Sequence, residues 1–279
     1  MRPITLCLLA VVLFSCGQTD IKKQLTDEFS KTKGNFALGF KNLQTGEEIL
    51  INEHRLFHAA STMKTPVMME VFKQSKDGKF SLQDSILIKT TFNSIVDSTF
   101  SLSKESDSDS ILYFAAGQKK TIIELVHKMI TRSSNLATNL LIELVDARNV
   151  TQSMRDLGAN DILVLRGVED SKAFRAGLNN KVTAYDLMIV FDHLKDEKEM
   201  VDILLQQEFN EIIPAKLPDD VRVAHKTGWI TGLHHDSALI ILPDGRRYVL
   251  VLLSDSLEDE KAGVETMATA SKMIYNYIK

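Results

Sequence analysis

Cysteine is scarce in this chain of 279 residues, where only Cys7 and Cys16 are present. Both precede residue 17, so the rest of the chain can form no internal disulfide and offers no cysteine nucleophile or thiolate metal site.

An excess of either charge is also lacking, since 33 basic and 37 acidic residues leave a formal net charge of -4. Nucleic-acid-binding proteins and polybasic membrane-binding surfaces usually carry a basic excess. We therefore expect no nucleic-acid partner.

Long hydrophobic runs are limited to the amino terminus. Ile4–Phe14 is apolar but too short to span a bilayer, and Arg2 places a positive charge before it. Residues 13–16, Leu-Phe-Ser-Cys, resemble the lipobox of a bacterial lipoprotein signal, which is cut before a cysteine that then carries the lipid. We predict a signal peptide over residues 1–16, lipidation at Cys16, and export to the cell envelope or periplasm with a lipid anchor in the membrane. A plain secretory signal, in which Cys16 is incidental, is the alternative.

The rest of the chain has strand patterns at both ends and helical patterns between them. Alternating or β-rich segments predict strands over 35–43, 48–52, 221–227, 237–242 and 248–253. Helical patterns cover 22–31, 61–74, 122–130, 136–144, a segment from residue 183, and 261–277. We predict an α/β (α+β) catalytic domain over 17–279, with an antiparallel sheet flanked by terminal helices and an all-helical subdomain inserted mid-chain. The sheet part covers about 20–80 and 210–279 and the helical part about 81–209, where the acidic segment Ser101–Ser110 predicts a solvated loop.

The first motif with chemical meaning is Ser61-Thr62-Met63-Lys64. On a helix, Ser61 and Lys64 would share one face, so the lysine could act as the base that a serine hydroxyl needs to become a nucleophile. A helix start at Ser61 would also favour a developing oxyanion. Taken alone, the motif also fits a helix cap followed by a solvated lysine.

Two further motifs follow in the chain. Ser133-Ser134-Asn135 stands between two predicted helices, where Ser133 could pass a proton to a leaving nitrogen and Asn135 could hold a substrate amide. Serine and asparagine are also good helix caps, which is the structural alternative. Lys226-Thr227-Gly228 ends a predicted strand, and its polar side chains could bind a substrate carboxylate. Its glycine would let a substrate approach the strand closely.

Together the three motifs, in this order and context, resemble those of the class A β-lactamases and their penicillin-binding relatives. The resemblance extends over nearly all of the chain after Cys16 and includes His58–Pro66, Ile130–Asn135 and His225–Gly228. It implies an acyl-enzyme mechanism in which Ser61 attacks the lactam or peptide carbonyl. Lys64 would assist proton transfer and Ser133 would protonate the departing nitrogen. Substrate binding would fall to Asn135, Lys226, Thr227, Gly228 and Trp229, with the backbone amides of Ser61 and Trp229 forming the oxyanion hole.

The resemblance also implies a glutamate on a loop that activates water for deacylation. Glu169, between the second and third motifs, stands where that residue belongs. The alternative is a surface glutamate paired with Arg166 or Lys172. The asparagine that usually follows this glutamate is absent, and Asn179-Asn180 is a candidate replacement.

Two other departures concern the second motif. Ser134 stands where the family usually has aspartate, and the segment between Ser61 and Ser133 is longer than usual.

The function expected from these residues is that of a serine β-lactamase, with acylation at Ser61 and deacylation by a water on Glu169. The alternatives are a cell-wall D,D-peptidase or related serine hydrolase with the same motifs, and a β-lactam or muropeptide sensor that acylates without turnover. The expected partner is a small β-lactam or a cell-wall peptide. We expect a monomer that uses no metal and no cofactor.

Overall fold

The computed structural model describes residues 20–279, so the predicted signal with Cys16 lies outside the described residues. The strands are β1 (Asn35–Asn42), β2 (Glu48–Ile51), β3 (Phe57–His58), β4 (Ser85–Leu87), β5 (Thr91–Asn93), β6 (Thr99–Ser101), β7 (Lys119–Thr121), β8 (Lys181–Val182), β9 (Arg222–Ile230), β10 (Leu233–Ile241) and β11 (Arg247–Asp255). The α-helices are α1 (20–29), α2 (Lys64–Lys76), α3 (Ile122–Thr131), α4 (Asn135–Val145), α5 (Ala147–Asp156), α6 (Ser171–Arg175), α7 (Ala184–Leu194), α8 (Lys198–Leu204) and α9 (Glu260–Ile278). Short 3-10 segments occupy Ala60–Met63, Ser110–Ala115 and Pro214–Lys216. From residue 20 onward, no helix has both the length and the apolarity to cross a bilayer.

A five-stranded antiparallel sheet, in the order β2-β1-β11-β10-β9, joins the two ends of the chain. Successive side chains of a strand point to opposite faces, so each face supplies its own core. Leu250 and Leu252 pack on one face with residues of α1 and α9, whereas Val249 and Val251 face the inserted helical part. These features confirm the predicted α/β (α+β) fold with a sheet flanked by terminal helices.

The inserted part packs around α2, which lies within the predicted sheet part of the chain but contacts α3, α4 and α5. It also holds the short strand pairs β4–β7 and β5–β6, which the sequence analysis did not predict. Helix α7 comes from the predicted helical region but packs on β1, β10 and β11 of the sheet. Gly39 permits that approach, because a Cβ there would stand 2.9 Å from the Ala184 carbonyl oxygen.

The late strands are longer than their sequence patterns suggest. Strand β9 continues through Ile230, so Lys226-Thr227-Gly228 lies inside the strand and not at its end. The reason is the register with β10, in which Thr227 faces Asp236 and Gly228 faces His235. The third motif is therefore held by backbone pairing with β10 along one side of β9, which is an edge strand of the sheet.

The acidic segment 101–110 is largely the exposed loop that its composition predicts, but two of its aspartates are buried. Asp109 is fully buried, and its carboxylate lies 3.0 Å from Lys128 Nζ and 3.5 Å from Arg132 Nη1. Asp107 is also buried, and Ser108 Oγ donates to the Arg132 carbonyl oxygen at 2.5 Å. The composition misleads at these two aspartates because the donors come from residues distant in the sequence, which the local pattern cannot show.

Candidate active site

Ser61 lies in the 3-10 segment Ala60–Met63, whereas the sequence analysis placed it on the α-helix. Helix α2 begins only at Lys64, because Ala60 has a left-handed φ of 44° and the chain first makes a tighter turn. A 3-10 helix has three residues per turn, which brings positions i and i+3 to one side. Ser61 and Lys64 therefore still share one side of the segment.

Strand β9 runs directly beside the Ser61 backbone. A Cβ on Gly228 would stand 3.2 Å from the amide nitrogens of both Ser61 and Thr62. Glycine thus allows a close approach that a larger residue would obstruct. Because Trp229 follows Gly228 on the same strand, the two residues expected to supply the oxyanion-hole amides belong to neighbouring backbone segments.

Lys64 is fully buried where α2 meets the second motif. Its Nζ donates to the Ser133 carbonyl oxygen at 2.6 Å, to Asn135 Oδ1 at 2.9 Å and to Ser133 Oγ at 3.1 Å. Burial lowers the pKa of Lys64 to about 7, against the opposing effect of the negative charges on Asp107 and Glu169. Its ammonium therefore sits among neutral acceptors and can give up a proton near neutral pH.

The second motif forms the junction between α3 and α4. Ser133 has a left-handed φ of 57°, which turns the chain sharply after α3. Ser134 is buried and caps α4, since its side chain accepts a hydrogen bond from Ala137 N at 3.2 Å. The departure from aspartate at this position thus retains a helix cap. The turn leaves Ser133 and Asn135 on the side where Lys64 lies.

Glu169 lies next to this junction, at the end of a chain of hydrogen bonds. Its Oε1 accepts from Asn135 Nδ2 at 2.7 Å, and its Oε2 accepts from Ser106 Oγ at 3.0 Å. The alternative pairing with Arg166 or Lys172 does not occur. Arg166 Nε donates to the Leu178 carbonyl oxygen at 2.8 Å, and Lys172 Nζ binds Asp97 at 2.6 Å.

The loop that carries Glu169 is fixed by a buried asparagine on α4. Asn139 Nδ2 donates to the Val168 carbonyl oxygen at 3.0 Å, and Val168 N donates to Asn139 Oδ1 at 2.7 Å. Gly167 makes room for this contact, because a Cβ there would stand 2.3 Å from Asn139 Oδ1. These bonds hold the backbone just before Glu169, whose own φ is 62°.

The polar residues after Glu169 serve the loop itself. Asp170 accepts hydrogen bonds from Ser94 Oγ and from the backbone amide of Ala173, each at 3.0 Å. Asn180 Oδ1 accepts from Arg166 N at 3.2 Å, and its Nδ2 donates to the Arg166 carbonyl oxygen at 2.9 Å. Asn179 Oδ1 accepts from Arg166 Nη2 at 3.0 Å. Both asparagines proposed to replace the missing amide are thus engaged at Arg166.

The third motif is buried at Lys226, whereas Trp229, which directly follows the motif, is exposed. Lys226 is fully buried, and its Nζ donates to the Thr227 carbonyl oxygen at 2.9 Å. Burial, followed by the nearby charge of Lys64, lowers the pKa of Lys226 well below its usual value. Trp229 is 61% exposed, and its Nε1 donates to Glu260 Oε2 at 3.0 Å. Lys226 therefore has no direct access to a substrate carboxylate in the cleft, and any effect of Lys226 on that carboxylate would act through Thr227.

These residues converge on one open cleft of about 1120 Å³, whose lining includes Ser61, Ser133, Asn135, Glu169, Thr227, Gly228 and Trp229. A smaller lobe of about 440 Å³ adjoins it and extends past His58 and Phe174. The two lobes share Ser61, Asn135 and Glu169. Lys64 and Lys226 lie behind this surface, since neither lines the cleft.

Three residues near this site were missed by sequence reasoning. Ser106 binds Glu169 at 3.0 Å, Asp107 binds the start of α4, and Glu260 holds the Trp229 indole. The only signal for the first two was the unusual length of the segment between the first and second motifs. Glu260 begins α9, where an acidic residue suits the helix terminus and suggests nothing more.

Comparison with known proteins gives the same picture. Residues 20–278 match the family described as the Beta-lactamase enzyme family. A β-lactamase of Bacteroides uniformis is 25% identical over an alignment of 298 residues. The alignment covers 96% of this chain and 97% of that protein. A β-lactamase structure from Sphaerobacter thermophilus has a TM-score of 0.76 and 24% identity, covering 94% and 96% of the two chains. A mutant of PBP-A, solved as an acyl-enzyme complex with penicillin G, has a TM-score of 0.77 and 23% identity, covering 93% and 96%.

The fold is the one that the solved β-lactamase structures share. The family match extends over essentially all of the described residues, so the chain belongs to the Beta-lactamase enzyme family.

Replacing Asn139 with leucine tests the role of this side chain in holding the Glu169 loop. The near-isosteric change removes both bonds to Val168, so we expect the free energy of unfolding in urea to fall by about 1–3 kcal/mol. Trypsin should then cleave faster at Arg166 or Lys172. Asn149→Leu, at an exposed asparagine on α5 whose side-chain amide donates to Val145 O, should leave the cleavage rate unchanged. Equal trypsin resistance of Asn139→Leu and the wild type would contradict the assignment.

Proposed function

We propose that this protein is a class A serine β-lactamase, which hydrolyses the β-lactam amide through an acyl-enzyme on Ser61. The observation that carries the proposal is a continuous set of hydrogen bonds from Ser133 through Lys64 and Asn135 to Glu169. It runs beside the cleft that Ser61 lines, and it links the groups assigned to acylation with the group assigned to deacylation. The names of the two β-lactamase relatives, and the acyl-enzyme of the PBP-A mutant with penicillin G, support this substrate class.

In the proposed acylation, the neutral amine of Lys64 takes the proton of the Ser61 hydroxyl while Oγ bonds to the lactam carbonyl carbon. The carbonyl oxygen becomes an oxyanion, which the backbone amides of Ser61 and Trp229 stabilise. Ser133 then donates its proton to the ring nitrogen as the carbon–nitrogen bond breaks. Lys64 Nζ, 3.1 Å from Ser133 Oγ, returns a proton to Ser133. The net result is an ester on Ser61 and an opened ring.

In the proposed deacylation, the Glu169 carboxylate takes a proton from water as the water oxygen attacks the ester carbonyl. The bond to Ser61 Oγ breaks, and that oxygen receives the proton that Glu169 took from water, which regenerates both groups. Asn135 supports this arrangement because its side chain links Lys64, the base for acylation, to Glu169, the base for deacylation. Its Oδ1 accepts from Lys64 at 2.9 Å and its Nδ2 donates to Glu169 at 2.7 Å.

A second candidate function is acylation with little or no turnover, as in a sensor or a D,D-peptidase that β-lactams inhibit. The favouring observation is that both Glu169 oxygens already accept hydrogen bonds, from Asn135 and Ser106. The loop asparagine that would help to hold a water is also absent, and Asp170 is directed to Ser94 and Ala173. The lifetime of the acyl-enzyme separates this function from that of an efficient hydrolase.

Replacing Glu169 with glutamine removes the proposed base for deacylation and leaves the acylation groups in place. Mixed with a chromogenic cephalosporin, Glu169→Gln should acylate but lose deacylation by about 100-fold or more, as expected for loss of a general base. Intact-mass spectrometry should show an adduct that persists. Ser61→Ala is the control and should show no adduct. Unchanged turnover by Glu169→Gln would remove this residue from the mechanism.

The pH dependence of acylation tests the role of Lys64. Because Lys64 acts as a base only when neutral and its pKa is lowered to about 7, acylation should slow as the pH falls through that value. Below it the rate should drop about tenfold per pH unit, following the neutral fraction. Single-turnover stopped-flow measurements with the cephalosporin would give this profile. A rate that stays constant from about pH 5 to about pH 9 would exclude Lys64 as the base.

We further propose that the protein is exported and lipidated on Cys16. The apolar run that ends just before this cysteine supports the proposal. In a bacterial host, the wild type should partition with membranes and incorporate an alkyne-labelled fatty acid. Cys16→Ser should lose the label and the membrane association, while Cys7→Ser, within the predicted signal, should retain both. Persistent labelling of Cys16→Ser would show that the anchor lies elsewhere.

A further inference from the structure

We propose that Asp107 is a positioning residue that holds the Ser133–Asn135 junction against Lys64. It belongs to the acidic segment 101–110, which passes over the amino terminus of α4. The inference deepens the proposed function, because it names a residue that acts on the acylation machinery through the backbone it holds.

The Asp107 carboxylate is buried and surrounded by donors. Its Oδ1 accepts from the backbone amides of Asp109 at 3.0 Å and Asn135 at 3.1 Å. Its Oδ2 accepts from Leu136 N at 2.9 Å and from the Tyr113 hydroxyl at 3.0 Å. Each oxygen thus has two donors, which is the arrangement that makes a buried carboxylate tolerable. The side chain therefore has little freedom to move independently of α4.

These bonds complete the amino terminus of α4. The first amides of a helix have no partner within it. Ser134 Oγ accepts from Ala137 N, the third of these amides, at 3.2 Å. The amides of Asn135 and Leu136, the first and second, are taken by the carboxylate from the acidic segment. Without that carboxylate, two buried amides at the second motif would be left to find other partners.

The position of Asn135 matters because its side chain makes hydrogen bonds to both Lys64 and Glu169. Its Oδ1 accepts from Lys64 and its Nδ2 donates to Glu169. Its backbone amide, held by Asp107, fixes the point from which both bonds are made. A shift of that backbone would therefore disturb both Lys64 and Glu169. Small displacements of groups that orient a reaction lower rates steeply.

Asp107 also acts on Lys64 through its charge. Three titratable groups lie near the Lys64 amine: Asp107 from the acidic segment, Glu169 from its loop, and Lys226 from β9. The two carboxylates raise the pKa of Lys64, and Asp107 has the larger effect. The charge of Lys64 in turn lowers the pKa of Lys226. Removing the charge of Asp107 should therefore lower the pKa of Lys64 further.

The test is Asp107→Asn, which keeps the shape but removes the charge and turns one donor toward the α4 amides. In single-turnover mixing with a chromogenic cephalosporin, we expect acylation to slow about 10- to 100-fold at neutral pH. The acidic limb of its pH profile should move to lower pH, because Lys64 stays neutral further into the acid range. Asp219→Asn, at an exposed aspartate just before β9, is the charge-matched control and should match the wild type in both measurements.

The outcome separates a positioning role from a purely structural one. A variant that merely unfolds would lose active protein without moving the pH limb, so the limb is measured on the folded fraction. The proposal would be overturned if Asp107→Asn acylates at the wild-type rate and its pH profile has the same acidic limb as that of the wild type.

If Asp107→Asn does not fold, Tyr113→Phe removes one donor from the same carboxylate and keeps its charge. It should slow acylation several-fold with an unmoved limb, and a wild-type rate would overturn the proposal. Failure of the wild type to acylate would instead count against the proposed function.

Discussion

Burial of a lysine without a directly bonded carboxylate is the constraint around which this molecule is organised. Lys64 is fully removed from solvent, and its three hydrogen-bond acceptors are the Ser133 carbonyl, the Ser133 hydroxyl and the Asn135 amide oxygen. A charged amine in such surroundings is destabilised, which brings its pKa to about 7. A directly bonded carboxylate would favour the ammonium and remove its capacity as a base. Asp107 and Glu169 are near enough to moderate the effect of burial, but their oxygens are occupied by other donors.

The backbone around the site is unusual at three places. Ala60, Ser133 and Glu169 all adopt left-handed φ values, of 44°, 57° and 62°. None of them is glycine, asparagine or aspartate, the residues that tolerate this region best. Such conformations persist only where surrounding contacts determine them. The contacts are visible at each place, since the sheet supports the Ser61 segment, Lys64 and Asp107 hold the junction, and Asn139 holds the Glu169 loop.

Much of the fold could be predicted because its local and global patterns agree. The alternating residues of β1 form one strand, and Thr121 makes the predicted capping box with Glu124. The site motifs could be located for a different reason, since their order along the chain carried the resemblance. Their surroundings could not be predicted. Ser101–Ser110 has the composition of a solvated loop, yet Asp107 and Asp109 are buried against donors from α3 and α4. Lys226 was expected to bind a substrate carboxylate, but its side chain is fully buried and lies near Lys64. In each case the deciding partner lies far away in the sequence.

The identity of the nucleophile can be measured most directly on the purified wild-type protein. Rapid mixing with a chromogenic cephalosporin, acid quenching at a series of times and peptide mapping would locate any covalent adduct while absorbance records ring opening. A serine hydrolase built around Ser61 and Lys64 predicts added mass on the peptide that contains Ser61, formed no later than the colour and lost as turnover proceeds. Ring opening with no adduct on that peptide at any time, or an adduct on a different residue, would contradict it.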